Sequence, residues 1–164
     1  MLKILRVHGG HPKYYHKYIG GNFRLDALQS AIVSVKLSRL DQWTKARQEN
    51  AAVYRRLFAD AGLSEKVACP VELQDRHIYN QFVISLSEGR DELQEFLTSA
   101  GVGNEIYYPV PLHLQQCFEY LGYPKGRMPI SEKTADCTLA IPVYPGMNRA
   151  QQDYVVEQIR NFYA

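Results

Sequence analysis

The polar side chains most suited to chemistry lie where a glycine-rich loop meets a long helical pattern. Asn22 and Arg24 follow the glycine pair Gly20-Gly21 and precede the first regularly spaced leucines. An amide and a guanidinium at the start of a helix, beside the helix's own free N–H groups, suit an anion such as phosphate. The spacing matches neither GxGxxG nor GxxxxGK[ST], so on spacing alone we favour a simple turn into the helix over a phosphate-binding loop.

A second candidate site follows a predicted strand. Tyr107 and Tyr108 end that strand, and His113 follows the proline-containing turn Pro109-Val110-Pro111. Phenol and imidazole groups at a strand end could line a ligand pocket. Equally, the tyrosines could pack against the sheet and His113 could cap the next helix. The residues alone leave both interpretations open.

The other polar groups point to no specific chemistry. His8, His11 and His16 share one loop, but their spacing matches no standard metal site, so we favour ordinary loop histidines over metal ligands. The charged turn at residues 75–77 is of a kind that is usually solvated. No Ser/His/Asp or Cys/His order stands out, and the sequence therefore identifies no catalytic residue and no metal site.

Composition excludes several classes of protein. The chain has 164 residues, 46% of them apolar, and a formal charge of +2 with Lys and Arg spread out, which argues against nucleic-acid binding. No apolar stretch approaches the roughly 18 residues of a membrane helix, and the first residues do not resemble a signal peptide. Cys69, Cys117 and Cys137 lie far apart, as expected of reduced thiols, so we expect a cytoplasmic protein.

Apolar periodicity predicts one long helix in the first half of the chain. From Leu25 the apolar residues recur at steps of three and four, and no Gly or Pro interrupts them until Gly62. One helix, or two with a bend near Trp43, should therefore span roughly residues 25–61.

A small α/β lobe is predicted after that helix. Two strands that enclose one helix could lie parallel or flank a third strand. We therefore expect an α/β (α+β) chain with a loop at 1–24, a connecting helix or bent helix pair at 25–62 and a small α/β domain at 63–164. The predicted elements of this domain are an extended piece at 67–71, strands at 79–86 and 103–108, and helices at 91–100, 114–121, 131–139 (capped by Ser131) and 148–162.

Two long stretches resemble the DegT/StrS family of sugar aminotransferases. The first reads His16-x-Tyr18-Ile19-Gly20-x-Asn22-x-Arg24-Leu25-Asp26-x-Leu28-Gln29-x-Ala31, then Lys36-Leu37, Leu40-Asp41 and Arg47. The second reads Ile106-Tyr107-Tyr108-Pro109-Val110-Pro111-Leu112-His113-Leu114-Gln115, then Phe118, Leu121-Gly122-Tyr123, Ser131-Glu132 and Leu139-x-Ile141-Pro142-x-Tyr144-Pro145. The resemblance runs in order over essentially the whole chain.

The resemblance implies the C-terminal portion of a pyridoxal-phosphate (PLP) enzyme with the aspartate-aminotransferase fold (fold type I). Such enzymes move an amino group from an amino acid, usually glutamate, to a nucleotide-linked keto sugar, in polysaccharide or secondary-metabolite biosynthesis. The family's Schiff-base lysine lies in a Ser-Phe-x-x-x-Lys-Asn-like motif, and no lysine here, including Lys3, has that context. Because transamination needs this amine, we expect the chain to be inactive alone.

The resemblance also implies roles for particular residues. Asn22 corresponds to the residue that reaches the cofactor phosphate in the neighbouring subunit of a homodimer, and Arg24 to a position near the nucleotide-sugar. Tyr107 and Tyr108 correspond to positions that line the sugar site from the partner chain, and His113 is a further substrate-site candidate. Alternatively, Arg24 could pair with Asp26 or a neighbouring helix, and Tyr107 could serve packing.

A non-catalytic interpretation also stays open. The chain could dimerise through the long helix and residues 8–24, or bind a partner that carries the missing half. In either case we expect an apolar stripe to be exposed and to cause self-association. The stripe consists of Leu28, Ile32, Val35 and Trp43.

Overall fold

The computed structural model describes residues 1–11, 18–23, 25–73 and 75–164, apart from the side chain of Cys117. The chain divides into two units, Met1–Asp41 and Gln42–Ala164. The helices are α1 (Leu2–Leu5), α2 (Ala27–Leu37), α3 (Leu40–Asp60), α4 (Arg90–Ser99), α5 (Pro129–Cys137) and α6 (Arg149–Phe162). The strands are β1 (Val67–Ala68), β2 (Phe82–Leu86) and β3 (Thr138–Ile141), and two 3₁₀ helices span Leu112–Leu114 and Gln116–Leu121.

In the first unit, two backbone segments approach closely just before α2. Val7 and Asn22 form an antiparallel bridge, and the N–H of His8 donates to the carbonyl of Gly21 at 3.1 Å. Gly9 has a φ of +70°, and a side chain there would collide with the carbonyl of Tyr18. Glycine at this position therefore permits both the backbone conformation and the close approach.

The predicted long helix is two helices in the structure. The Asp26 carboxylate accepts the N–H of Leu28 at 2.8 Å and so caps α2. The break falls at Ser38 and Arg39, earlier than the bend expected near Trp43. Neither residue is a glycine or a proline, which is why periodicity did not indicate the break.

Gly62 ends α3 as its position in the sequence suggests. It has a φ of +70°, and the N–H of Leu63 donates to the carbonyl of Phe58 at 3.0 Å. This six-to-one hydrogen bond after a left-handed glycine is the pattern of a Schellman C-cap.

The three strands of the second unit form one antiparallel sheet in the order β1-β2-β3. The predicted strand at 103–108 is reduced to a single bridge between Glu105 and Ala140, so β3 lies between β2 and this segment. Both predicted strands run antiparallel to β3, so they point in the same direction but flank this third strand and do not pair with each other. The first half of β3, Thr138 and Leu139, falls within the helix predicted at 131–139, which in the structure stops at Cys137.

The core lies against one face of this sheet. Side chains of β2 alternate, with Phe82, Ile84 and Leu86 buried. They belong to one apolar cluster with residues of α3, α4 and α6: Tyr54, Phe58, Leu93, Leu97, Val155, Val156 and Ile159. The mixed architecture of helices and a small antiparallel sheet agrees with the α+β lobe expected from the sequence.

Polar side chains of α3 hold the segment after β3. Arg47 donates to the carbonyl of Val143 at 2.7 Å, Asn50 to that of Tyr144 at 2.8 Å and Tyr54 to that of Pro142 at 2.9 Å. Their spacing places all three on one side of the helix, so this face carries both hydrogen-bonding and core contacts. No helix in the described part of the chain is long and apolar enough to cross a lipid bilayer.

Candidate functional site

A cavity of about 390 Å³ opens on the sheet face opposite the core. Val83 of β2 and its partner Ala140 of β3 form part of its floor. One wall is the segment with Tyr107, Tyr108 and Leu112, and the facing wall is formed by residues of α5. The sheet therefore supplies a rigid base between two walls that are distant in sequence.

The lining combines apolar surface with neutral polar groups. Within the described residues, the side chains of Gln81, Tyr107, Tyr108 and Ser131 make no hydrogen bond, whereas the hydroxyl of Thr134 donates to the carbonyl of Ile130 at 2.8 Å. The uncommitted groups are two phenols, an amide and a hydroxyl, each able to donate and accept. They suit a ligand with several hydroxyl groups.

The formal charge of the cavity is small. Glu105 is the one ionisable carboxylate in the lining, and its side chain accepts the N–H of Ile106 at 3.2 Å. The described lining includes no lysine or arginine. A phosphate group would find no cation among the described lining residues, so the chemistry of this lining fits the uncharged part of a ligand.

His113 lies beside the cavity and is not among its lining residues. It is 6% exposed, and its Nε2 lies 2.9 Å from Oε1 of Glu132. The same carboxylate accepts the N–H groups of Gly126 and Met128. The backbone N–H of Gly126, helped by His113, lowers the pKa of Glu132, although desolvation opposes this shift.

The predicted helix cap at Ser131 is wrong. Met128 occupies the N-cap position, Pro129 begins α5, and Ser131 lies inside the first turn. Proline suits that first helical position because its backbone has no N–H to satisfy. Ser131 is thereby free to line the cavity, which the sequence did not indicate.

Asn22 belongs to the other unit, where its backbone bridges to Val7 and its side chain is exposed. Arg24 and His16 lie outside the described residues. Within the described part of the chain, no three His, Cys, Asp or Glu side chains form a group that could hold a metal ion. Cys69 and Cys137 are free thiols.

Several cavity residues, including Gln81 and Thr134, were not singled out from the sequence. Gln81 precedes β2 and Thr134 lies on α5, and both line the cavity. The alternation of side chains along β2 does indicate Gln81. Gln81 lies two residues before Val83 and therefore on the same face of the sheet, which is the face away from the core. Nothing in the α5 sequence indicates which of its faces borders a cavity.

A larger second cavity, of about 580 Å³, lies at the start of α6. Tyr144, Met147 and Tyr154 contribute to its lining. The Tyr154 hydroxyl already donates to the carbonyl of Ala100 at 2.9 Å, and Asn148 and Gln151 bond to each other's backbone in a capping box. Most of its polar groups are thus engaged within the protein, unlike those of the tyrosine-lined cavity.

The chain is similar to sugar aminotransferases over nearly its whole length. It is 46% identical over 162 residues to a protein of Geobacillus stearothermophilus named pleiotropic regulatory protein, covering 98% of this chain and 43% of that protein. It is 34% identical over 162 residues to the dTDP-3-amino-3,4,6-trideoxy-alpha-D-glucose transaminase of Streptomyces venezuelae, covering 98% of this chain and 42% of that enzyme. The chain therefore spans less than half the length of these relatives.

A solved structure shows the same fold. The crystal structure of S. venezuelae DesV in complex with a ketimine intermediate matches with a TM-score of 0.87 at 31% identity, covering 98% of this chain and 43% of that one. The model of the DegT/DnrJ/EryC1/StrS aminotransferase family matches residues 1–160. The chain belongs to the DegT/DnrJ/EryC1/StrS aminotransferase family.

Proposed function

We propose that this chain forms part of a PLP-dependent aminotransferase that moves an amino group from an amino acid, glutamate being the expected donor, to a nucleotide-linked keto sugar. Its share of the work is binding: Tyr107 and Tyr108 contact the sugar, and Asn22 and Arg24 serve phosphate groups. The chain covers about 43% of the relatives it matches, so the whole reaction is proposed for the parent enzyme.

The observation that carries this proposal is the hydroxyl-rich cavity at Tyr107 and Tyr108, whose described lining holds one carboxylate, Glu105, and no cation. A sugar ring offers several hydroxyl groups and apolar C–H faces, which pair with phenol groups and with apolar walls such as Val83 and Leu112. Because the described lining has no cation, we propose that the sugar binds in this cavity and that the phosphates of the substrate bind elsewhere.

The described residues supply only a fraction of a PLP site. PLP, when bound, supplies the electron sink for amino-group transfer and needs a lysine amine for its attachment. The described lysines are exposed, except for half-buried Lys66, which pairs with Glu88. The exposed amide of Asn22 suits one phosphate contact.

We also propose that a second copy of the chain associates through α2 and residues 8–24. The exposed apolar side chains of α2 support this arrangement, which would bring Asn22 to a neighbour's site. The same surface favours the alternative of a non-catalytic dimerisation fragment, and enzymatic tests decide between the two.

Calorimetric titration with dTDP-glucose tests the sugar-binding role. We expect saturable binding, weakened about two- to tenfold in Tyr107→Phe and Tyr108→Phe, because each variant loses one neutral hydrogen bond. Tyr120→Phe is the matched control, since Tyr120 is exposed and lies outside the cavity. Absence of binding, or equal loss in the control, would contradict the proposal.

Absorption spectroscopy with PLP tests the missing amine. When PLP is added to the chain, we expect no saturable absorption band of an internal aldimine. A specific Schiff base would be recognised by the loss of such a band when one particular lysine is substituted. Such a band, together with turnover of glutamate and a keto sugar by the isolated chain, would overturn the assignment of a partial site.

A further inference from the structure

A side-chain contact that is largely shielded from solvent joins the two walls of the tyrosine-lined cavity. His113 follows Leu112 in one wall, and Glu132 follows Ser131 in the other. The 2.9 Å contact between Nε2 of His113 and Oε1 of Glu132 therefore ties the walls together directly behind their lining residues.

Glu132 is itself firmly held. Its two carboxylate oxygens accept the N–H of Gly126 at 2.9 and 2.8 Å, and one also accepts the N–H of Met128 at 3.2 Å. These contacts fix the carboxylate at the start of α5. The side chain of His113 is 3% exposed and that of Glu132 is 11% exposed, so water competes little for the contact between them.

We propose that His113 is a positioning residue for the sugar-binding cavity and not a ligand contact. By donating to Glu132, the imidazole fixes the 3₁₀ helix Leu112–Leu114 against α5 and so sets the width between the tyrosines and Ser131. The ligand senses His113 only through these walls. The expected effect of His113 on ligand affinity rests on the proposed sugar-binding function. The link between the two walls rests only on the observed contact between His113 and Glu132.

Hydrogen exchange measured by mass spectrometry tests the link without any ligand. In His113→Leu, which keeps bulk and removes the donor, we expect exchange to rise about ten- to a hundredfold at residues 107–115 and 126–132 together. Glu132→Ala should produce the same pattern, and the double variant should add little to either. Additive effects, or a rise in only one segment, would overturn the link.

The conservative variant His113→Gln separates positioning from simple packing. A glutamine amide can reach the place of Nε2 and donate to Glu132, so we expect exchange close to that of the unaltered chain. If His113→Gln behaves like His113→Leu although both fold, the hydrogen bond is not the cause and the inference fails.

Titration with dTDP-glucose distinguishes positioning from direct contact. We expect His113→Gln to keep the affinity of the unaltered chain and His113→Leu to lose it about tenfold, in step with exchange. Loss of affinity in His113→Gln with unchanged exchange would show direct ligand contact and overturn the positioning role. If the unaltered chain does not bind dTDP-glucose, the proposed sugar-binding function fails, while the exchange pattern still decides the link.

Discussion

Among single residues, Glu132 couples the chemistry of a carboxylate to the shape of the cavity. Its pKa is lowered, chiefly because the N–H of Gly126 and then the ring of His113 favour the ionised form. A carboxyl whose pKa is lower in the folded state stabilises the fold above its unfolded pKa, and this contribution is lost as the pH falls through the folded pKa.

We therefore predict that lowering the pH below about 4.5, the ordinary pKa of a glutamate side chain, destabilises the fold partly through Glu132. Urea unfolding between pH 7 and pH 3 measures the effect, and Glu132→Gln should show a shallower decline. Glu95→Gln is the control, because Glu95 is exposed and its carboxylate makes no hydrogen bond among the described residues. Parallel pH profiles for the unaltered chain and Glu132→Gln would disprove the coupling.

The sequence could predict several candidate site residues but not all of the residues that contact them. Tyr107 and Tyr108 were candidates for a pocket, and they line one, while their binding role stays a prediction. His113 was a candidate for the same site, and the structure buries it against Glu132. Its partner lies 19 residues away, and no local pattern indicates a contact over that distance.

At the level of elements, α3 organises the second unit through three polar side chains and an apolar face. Arg47 donates from one nitrogen to the carbonyls of Tyr79, Asn80 and Val143. It thereby holds the residues just before Gln81 next to the segment after β3. This arrangement matters to the cavity, because Gln81 belongs to its lining.

We predict that Arg47→Ala lowers the free energy of unfolding by about 1.5–3 kcal/mol, the usual range for hydrogen bonds that involve a charged group. Chemical denaturation measures this change. Arg56→Ala on the same helix is the matched control, because Arg56 is exposed and should change stability by less than about 0.5 kcal/mol. Similar losses in both variants would mean that the carbonyl contacts contribute little.

Element types were predictable where a local rule decides them. The capping box at Asn148 and the glycine at position 62 mark helix ends through their own backbone chemistry. The break at Ser38 and the strand β3 were not predictable in this way. β3 follows α5 without a turn residue, and its strand geometry depends on pairing with β2, which is distant in sequence.

For the whole molecule, the exposed apolar surface of α2 is the main feature to explain. Along α2, all of which the structure describes, no residue is buried, and Leu28 and Val35 are 72% and 73% exposed. Ile32 is also exposed, as predicted. Trp43 was expected in the same stripe, but it is half-buried and belongs to the second unit.

We predict that the chain self-associates through this surface. Sedimentation velocity should show a dimer or larger species, and the pair Leu28→Lys and Val35→Glu should shift it toward monomer without loss of helical circular dichroism. Gln29→Lys is a control for the added charge alone. A monodisperse monomer of the unaltered chain would contradict the proposed association.

The central claim is that the tyrosine-lined cavity receives a nucleotide-linked sugar, and spectra of ¹³C-tyrosine-labelled protein during titration with dTDP-glucose test it most directly. The account predicts saturable shifts of the Tyr107 and Tyr108 ring resonances, with Tyr144 and Tyr154 of the second cavity unchanged. Shifts confined to Tyr144 and Tyr154, or no shift of any tyrosine at saturating ligand, would contradict it.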